Sequence, residues 1–369
     1  MPTDAGRAPP VDGDQPRYEP VKLLGSGGMG EVVLAHDHDI ARRVAVKRLN
    51  TETSDPSIFA RFVDEIRTVG RLEHPNIVPI HDVGIDELGR YYFVMKYVAG
   101  ETLQSVIGKL RAGDASYHRT YSCERRIQVV LALLNALAYA HDHGVLHRDV
   151  KPANVMIGNF GEVVLMDWGV AKPMASKEGG GAVAGGGIPD SVTDRTSSTR
   201  FGSLIGTPAY MSPEQARGEN DSLDARSDLY GVTVLFHELM SLRHYLDAKS
   251  SAQSTLAAVV GERFGFVRAM FHVHPNQPRL PGEIAHFVVR GLAKAKEDRF
   301  QSAGEMIAEL ERILEGRVRV ECPITLTKRG FRELGRFLDR SPSFAVLALL
   351  GIVGAVLFTG ITLIRSVVG

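Results

Sequence analysis

A chain of 369 residues is long enough for two lobes around a sizeable buried core, which excludes a small scaffold held by disulfides or a structural metal. Lysine plus arginine and aspartate plus glutamate each count 43, so the formal net charge is zero and no global field favours nucleic acid. The two cysteines, Cys123 and Cys322, lie far apart without metal-ligand spacing, as expected of ordinary thiols in a reducing cytosol.

Residues 1–17 are rich in Pro, Gly and Asp and read as a disordered leader without chemistry; they lack the apolar run of a secretory signal, so the bulk of the chain is expected in the cytoplasm. Short apolar alternations predict strands over 19–24, 31–36 and 43–49, a hairpin-rich sheet. Between the first two runs Leu24-Gly25-Ser26-Gly27-Gly28-Met29-Gly30-Glu31-Val32. Glycines at 25, 27 and 30 let such a turn lie close over phosphates, with backbone N–H groups facing the anion and no Cβ in the way. Alone, the same spacing also marks dinucleotide-binding turns. Lys47 ends the apolar strand Val44-Ala45-Val46; a lone strand lysine is usually solvated, so its partner decides its meaning. The stretch 57–72 predicts a helix whose Phe59, Phe62, Ile66 and Val69 form an inward stripe. Glu65 faces inward beside them, with Asp64 as the competing carboxylate. After His74-Pro75-Asn76, strands over 77–83 and 91–97 complete the sheet, and Val98-Ala99-Gly100 reads as a hinge.

A helix is predicted over 103–110, and 111–123 is a polar insertion with no obvious mechanism. Ile127, Val130, Leu131, Leu134 and Ala138 then give the spacing of a long buried helix. It leads to His147-Arg148-Asp149-Val150-Lys151-Pro152-Ala153-Asn154, a polar segment containing Pro that reads as a loop, and then to Asp167-Trp168-Gly169. Asp149, Asp167 and Asn154, converging from separate loops, offer the oxygen ligands that a hard cation such as magnesium takes. His141, His143 and His147 are a conceivable metal set, although histidines at a helix end are more often solvated or structural. From Asp167 to Ser212-Pro213-Glu214 run 48 residues, Gly-rich over 179–187 and hydroxyl-rich over 193–199, a composition suited to a loop that is ordered by modification. Asp228 opens an apolar helix to Met240, where a carboxylate would serve as a cap, and another helix is predicted over 302–314. Residues 344–364 then run without a charge for 21 residues, enough to cross a hydrocarbon core of about 30 Å. Seven basic residues against three acidic ones lie between Arg317 and Arg340, which predicts a cytoplasmic main body.

The set Gly25-x-Gly27-x-x-Gly30-x-Val32, Val44-Ala45-Val46-Lys47, His147-Arg148-Asp149 and Asp167-x-Gly169, in that order and spacing, resembles the signature of bacterial Hanks-type serine/threonine protein kinases over residues 18–314. The resemblance implies an α+β bilobal fold: a β-rich small lobe over 18–96 with one key helix, a mainly helical lobe over 97–314, and an activation segment over 167–214. A basic juxtamembrane linker over 315–343, one transmembrane helix over 344–364 and a tail over 365–369 would follow. It implies ATP as phosphoryl donor, with Mg2+, or Mn2+ in its place, held by Asn154 and Asp167. Asp149 would be the base, Lys151 would neutralise the transferring phosphate, and Lys47, aligned by Glu65, would hold the α and β phosphates. The expected nucleotide contacts are Leu24, Gly25, Gly27, Gly30, Val32, Ala45, Lys47, Met95 at the gatekeeper position, Lys96 and Val98 through hinge backbone, and Met156. Lys96 departs from the acidic residue common in the family.

By the same resemblance Thr207 would steady Asp149 and Lys151, Asp228 would brace the catalytic loop from below, and Glu214 would pair with Arg299. Arg148 would receive a phosphate placed on Thr196, Ser197, Ser198 or Thr199. Trp168 stands where Phe is commoner, so its larger ring bears on how this turn switches between active and inactive packing. Asp149-x-Lys151-Pro152-x-Asn154 favours the serine/threonine class. The rival is a membrane-anchored pseudokinase, against which the complete set of Lys47, Glu65, Asp149, Asn154 and Asp167 argues. A receptor with an external sensor is disfavoured because five residues follow Ile364. The expected partners are protein substrates, membrane lipid along 344–364 and, as an option, a second copy of the chain, with no nucleic acid.

Overall fold

The computed structural model describes residues 16–27, 30–49, 56–168, 172–173, 207–246, 249 and 251–316. All but the last two residues of the expected leader, most of the activation segment with its hydroxyl cluster at 196–199, all but the first two residues of the basic linker and the expected membrane span therefore lie outside the described residues; Arg17, at the leader's end, is ion-paired to Asp37 and Asp82. Among the described residues no helix is long and apolar enough to cross a membrane.

The small lobe is a five-stranded antiparallel sheet in the order β1-β2-β3-β5-β4, built from Tyr18–Gly27, Gly30–Asp37, Arg42–Leu49, Ile80–Ile85 and Tyr91–Lys96 as β1 to β5. Strand alternation explains where Lys47 points. Val44 and Val46 pack with Tyr18, Ala35 and Val94 on one face, whereas Ala45 and Leu49 join Phe62, Phe93 and Met95 on the other. Lys47 shares the parity of Ala45 and Leu49, so it faces the helix α1, Pro56–Val69, that carries Phe62. On α1, Phe62, Glu65 and Val69 are buried in the expected stripe, while Phe59 is 39% exposed and lies with its ring against Tyr91. Phe59 therefore belongs to the rim, one helical turn beyond the end of the core, a correction to the expected inward stripe.

Ile77 is not in β4, as the sequence suggested; it makes a single parallel bridge to Leu165. The preceding His-Pro-Asn turn ties the lobes together. Asn76 donates its Nδ2 to Val163 O at 2.8 Å and accepts at its backbone oxygen from Leu165 N–H at 2.8 Å. The connection to the large lobe is β6, Gly100–Thr102, whose register with the later β8 brings Gly100 so close that a Cβ there would lie 2.0 Å from Ile157 O.

The large lobe begins with α2, Leu103–Arg111, and α3, Ala115–Thr120, the latter capped by Asp114, whose carboxylate accepts from Ser116 N–H at 2.8 Å. The polar insertion thus contains a helix of its own, which its lack of apolar periodicity hid. Next, α4, Cys123–Asp142, buries Ile127, Val130, Leu133, Leu134 and Leu137, whereas Leu131 and Ala138 sit at the edge of the core. The short strands β7, Val145–Leu146, β8, Val155–Gly158, and β9, Val163–Leu165, bracket the loop that follows α4. After α5, Pro213–Ala216, comes α6, Ala225–Ser241, buried along almost its whole length. A helix buried on all sides belongs at the centre of a lobe, and α4, α9 (Gly282–Gly291) and α10 (Ala303–Leu314) surround it or each other, with α7 (Ala252–Gly261) and α8 (Phe266–Phe271) in the 241–282 region. The C-terminal carbonyls of α6 meet cations. Arg126 donates to Leu239 O at 3.2 Å and Arg111 Nε to Leu242 O at 2.8 Å, the favourable end of the helix dipole.

Candidate active site

Two residues of the central loops adopt left-handed backbone conformations, Arg148 with φ 68° and Asp167 with φ 62°. Such strain persists only where the surroundings over-determine it, and around Arg148 they do. Its N–H donates to Asp228 Oδ1 at 2.7 Å, and its carbonyl accepts from Gln215 Nε2 at 2.8 Å. Asp228 also accepts the His147 backbone N–H at 2.9 Å and His141 Nε2 at 2.8 Å through Oδ2. It lies one turn inside α6; the cap is Asp224, which accepts from Arg226 N–H at 2.9 Å. Burial opposes ionisation of Asp228, but these donors outweigh it and hold its carboxyl below the usual range. His141 is thereby accounted for as a structural partner.

His147 is buried and its ring has one arrangement that satisfies both nitrogens. Nδ1 accepts the Asp149 N–H at 3.2 Å, so Nε2 carries the proton and donates to Met166 O at 3.1 Å. That links the loop to the residue before Asp167, as does Met166 N–H to Asn154 O at 2.8 Å. Trp168 is buried with its ring edge-on to His147, centroids 4.6 Å apart, and its Nε1–H has no hydrogen-bond partner among the described residues.

Asp149 is buried and its carboxylate is held from three sides. Lys151 Nζ lies 2.5 Å from Oδ2, Asn154 Nδ2 3.2 Å from the same oxygen, and Thr207 N–H 3.3 Å from Oδ1. Thr207 thus acts through its backbone, not its hydroxyl, and the hydrogen bond reaches Asp149 alone of the two residues expected. Asn154 spends its amide protons on Asp149, including the Asp149 carbonyl at 2.9 Å, which turns its Oδ1 into the free acceptor of that side chain.

Across the cleft Lys47 Nζ bridges both oxygens of Glu65, at 2.8 and 2.7 Å, and reaches Asp167 Oδ1 at 3.5 Å. Asp64 points to solvent. Burial works against the Lys47 ammonium, yet Glu65 and Asp167 outweigh it and its pKa rises. Burial also pushes the Glu65 carboxyl up, by more than one ammonium returns. The two short bonds make an ionised pair the arrangement that satisfies both groups. Glu65 is 4% exposed and Asp167 46%, so the pair sits inside while Asp167 opens to the cleft. A carboxylate and a free carboxamide oxygen are hard donors and fit a magnesium-type cation.

The glycine ribbon divides. At Gly30 a Cβ would fall 1.9 Å from Arg48 O, so the strand pairing demands glycine there; at Gly25 and Gly27 nothing lies within 4 Å, which leaves room beside the ribbon. Leu24 is exposed and Val32 half-buried, Ala45, Met95 and Val98 are buried, Met156 is half-buried, and Lys96 projects to solvent, its N–H bonded to Pro79 O at 3.1 Å. Below the loop, Arg299 pairs with Glu214 through two bonds, 2.8 and 2.9 Å, with Ser227 Oγ adding a third at 2.7 Å. Burial opposes this carboxylate too, but Arg299 wins and keeps Glu214 below its ordinary range. The Arg148 guanidinium is half-buried, its pKa lowered by that burial, with Nε unpartnered among the described residues and one Nη 3.4 Å from Asn220 O. Gln215 is the member of this site that sequence reasoning missed. Its signal was the Ser212-x-x-Gln215 capping box, where Ser212 N–H donates to Gln215 Oε1 at 3.0 Å.

The description "protein kinase domain" matches residues 18–309, the span that carries all of these groups. The chain belongs to the protein kinase domain family. Among its relatives, serine/threonine-protein kinase PknD of Protochlamydia amoebophila is 32% identical over 324 residues, covering 85% of this chain and 31% of that protein. Serine/threonine-protein kinase PknB of Mycobacterium leprae is 35% identical over 320 residues, covering 84% and 45% respectively. The chain thus spans between about a third and somewhat under half of these curated relatives. The kinase domain of PknI from M. tuberculosis superposes with a TM-score of 0.54 at 24% identity, covering 81% of this chain and 96% of that one, a likeness of fold. Membership in the family implies ATP and a divalent cation as reaction components.

Proposed function

We propose that the chain is a serine/threonine protein kinase that transfers the γ-phosphoryl group of ATP to hydroxyls of protein substrates. The observation that carries this reading is the Lys47–Glu65 pair, closed at 2.7 Å, facing an Asp149 whose carboxylate is already oriented by Lys151, Asn154 and Thr207. In the reaction the acceptor oxygen forms a bond to the γ-phosphorus while the bond to the bridging β-γ oxygen breaks, and the hydroxyl proton passes to Asp149. Lys151 offsets charge on the transferring group, and Lys47 holds the α and β phosphates. Asn154 and Asp167 would hold Mg2+, or Mn2+ in its place, and the cation would supply charge neutralisation on the phosphates. Since the protein contributes position and charge, most of the rate comes from preorganisation. Labelled-ATP incorporation into generic serine/threonine substrates tests the assignment: Lys47→Met should abolish it, and equal labelling by the native chain and this variant would overturn it.

Residues 167–214 would be the activation segment, autophosphorylated within 196–199 and read by Arg148, whose weakly engaged Nη suits a phosphate. Residues 344–364 would anchor the chain once in the cytoplasmic membrane with the kinase domain inside, supported by their 21 uncharged positions and the basic flank. Dimerisation through that span, where Gly351, Gly354 and Gly360 permit close helix approach, is the form in which a second copy would act.

A further inference from the structure

The insertion over 111–123 plays no part in the transfer site, yet its helix builds one wall of an open cleft of about 520 Å³. The opposite wall is the turn between β8 and β9, and the floor is the β6–β8 pairing. Tyr117 and Tyr121 stack along the α3 side with centroids 5.8 Å apart and planes within 13°. The lining has a single carboxylate, Glu101, and both of its oxygens are engaged: one accepts from Tyr117 OH, the other from Ser105 Oγ at 2.5 Å and from Lys109 Nζ at 2.9 Å. The donors are not used up. Arg125 gives one Nη to Gly161 O at 2.9 Å and reaches Gln128 only at 3.5 Å, and the Lys109 side chain is 45% exposed. At the tip of the opposing turn Phe160 is 99% exposed. This puts one large apolar side chain in water next to the lining residues Asn159 and Gly161.

We propose that this cleft docks an acidic segment of a protein partner, with carboxylates on Arg125 and Lys109 and an apolar residue against Phe160, away from the site of transfer. As a docking site for substrate the inference rests on the kinase reading; as a peptide site it does not. Charge decides the class of occupant, because the Glu101 carboxylate is engaged on both oxygens and Glu162 in the opposing turn accepts from Phe160 N–H at 3.2 Å, while Arg125 and Lys109 have N–H groups to spare. A cleft of about 520 Å³ lined from Lys109 and the tyrosines to Gly161 suits an extended peptide better than a single anion.

The test uses the full chain without nucleotide and a fluorescein-labelled Asp/Glu-rich decapeptide carrying one Leu and one Phe, read by anisotropy. Its counterpart with every acid replaced by Lys is the control. The acidic peptide should bind at least tenfold tighter than the control, lose affinity with salt, and bind at least fivefold more weakly to Phe160→Ser and to Arg125→Gln. Phe160→Ser removes a side chain that packs on nothing, so its folding is safe. With casein as an acidic protein substrate the same variants should raise KM threefold or more while kcat on a short neutral peptide stays unchanged. Equal binding of the two peptides, insensitivity to both variants, or displacement by equimolar inorganic phosphate, which marks a small-anion site, would each overturn the proposal. If peptide binding behaves as expected but no chain phosphorylates anything, the docking site stands and the kinase reading fails.

Discussion

Replacing Arg299 by methionine should be among the most damaging single changes in the large lobe. The guanidinium is 1% exposed and spans Glu214 with two bonds, while further N–H groups serve Ala293 O and Lys294 O at 2.8 and 2.9 Å. Methionine fills the volume but leaves the Glu214 carboxylate buried with Ser227 as its remaining side-chain donor. Removing one partner of a buried pair costs about 3–5 kcal/mol, because the other charge remains desolvated. At roughly 2–4 °C per kcal/mol, melting followed by circular dichroism should fall by on the order of 10 °C. The pH dependence carries the sign. The Glu214 pKa is depressed in the native chain, so its contribution is present above the unfolded carboxyl value and is lost as pH falls through the folded one. In Arg299→Met the same carboxyl is pushed up by burial and takes a proton sooner, so the gap between native and variant should narrow from pH 8 to pH 5. Glu214→Leu combined with Arg299→Met removes both charges and should be less damaging than Arg299→Met alone. A gap below about 1 kcal/mol, or one that does not change with pH, would refute the reasoning.

Other changes separate the roles of neighbouring groups. Asp228→Asn turns an amide toward backbone donors of His147 and Arg148, and should cost about 3 kcal/mol or more and most of the activity; native-like melting would contradict the brace. Gly30→Ala should lower the melting temperature of the small lobe, since Arg48 O lies 1.9 Å from the new Cβ, whereas Gly25→Ala should leave folding intact and weaken nucleotide binding; equal melting of the two would be inconsistent with the ribbon geometry. Trp168→Phe discards an unpartnered buried N–H at the expense of some packing, so stability should stay within about 1 kcal/mol and activity should survive; a tenfold rate loss would show that the indole has a specific role.

Much of the site could be read from spacing because its chemistry sits in short contiguous motifs. The faces of Lys47 and Glu65 were legible from two periods, the alternation of a strand and the face of a helix, whereas their pairing, closed at 2.7 Å, was legible through the resemblance, which favoured Glu65 over Asp64. Arg299 and Glu214, 85 positions apart, were legible through resemblance alone, since no local pattern links them. What stayed hidden depended on backbone. Gln215 acts on the Arg148 carbonyl, which side-chain spacing does not encode, and Thr207 meets Asp149 through its N–H and not its hydroxyl. The helix at 115–120 escaped because it buries no residue and is held by its Asp114 cap. Phe59 was misplaced because helical phase does not say where a core ends.

The most direct measurement pairs two readouts on one preparation of Asp149→Asn, affinity for Mg-ATP and single-turnover transfer to a serine peptide. Asp149 touches the acceptor side of the site, not Lys47 or Glu65, so nucleotide affinity should remain within about threefold while transfer falls by about 100-fold or more. Undiminished transfer with unchanged affinity would contradict Asp149 as the acceptor of the proton, and no transfer by the native chain under the same conditions would leave a nucleotide-binding pseudokinase in its place.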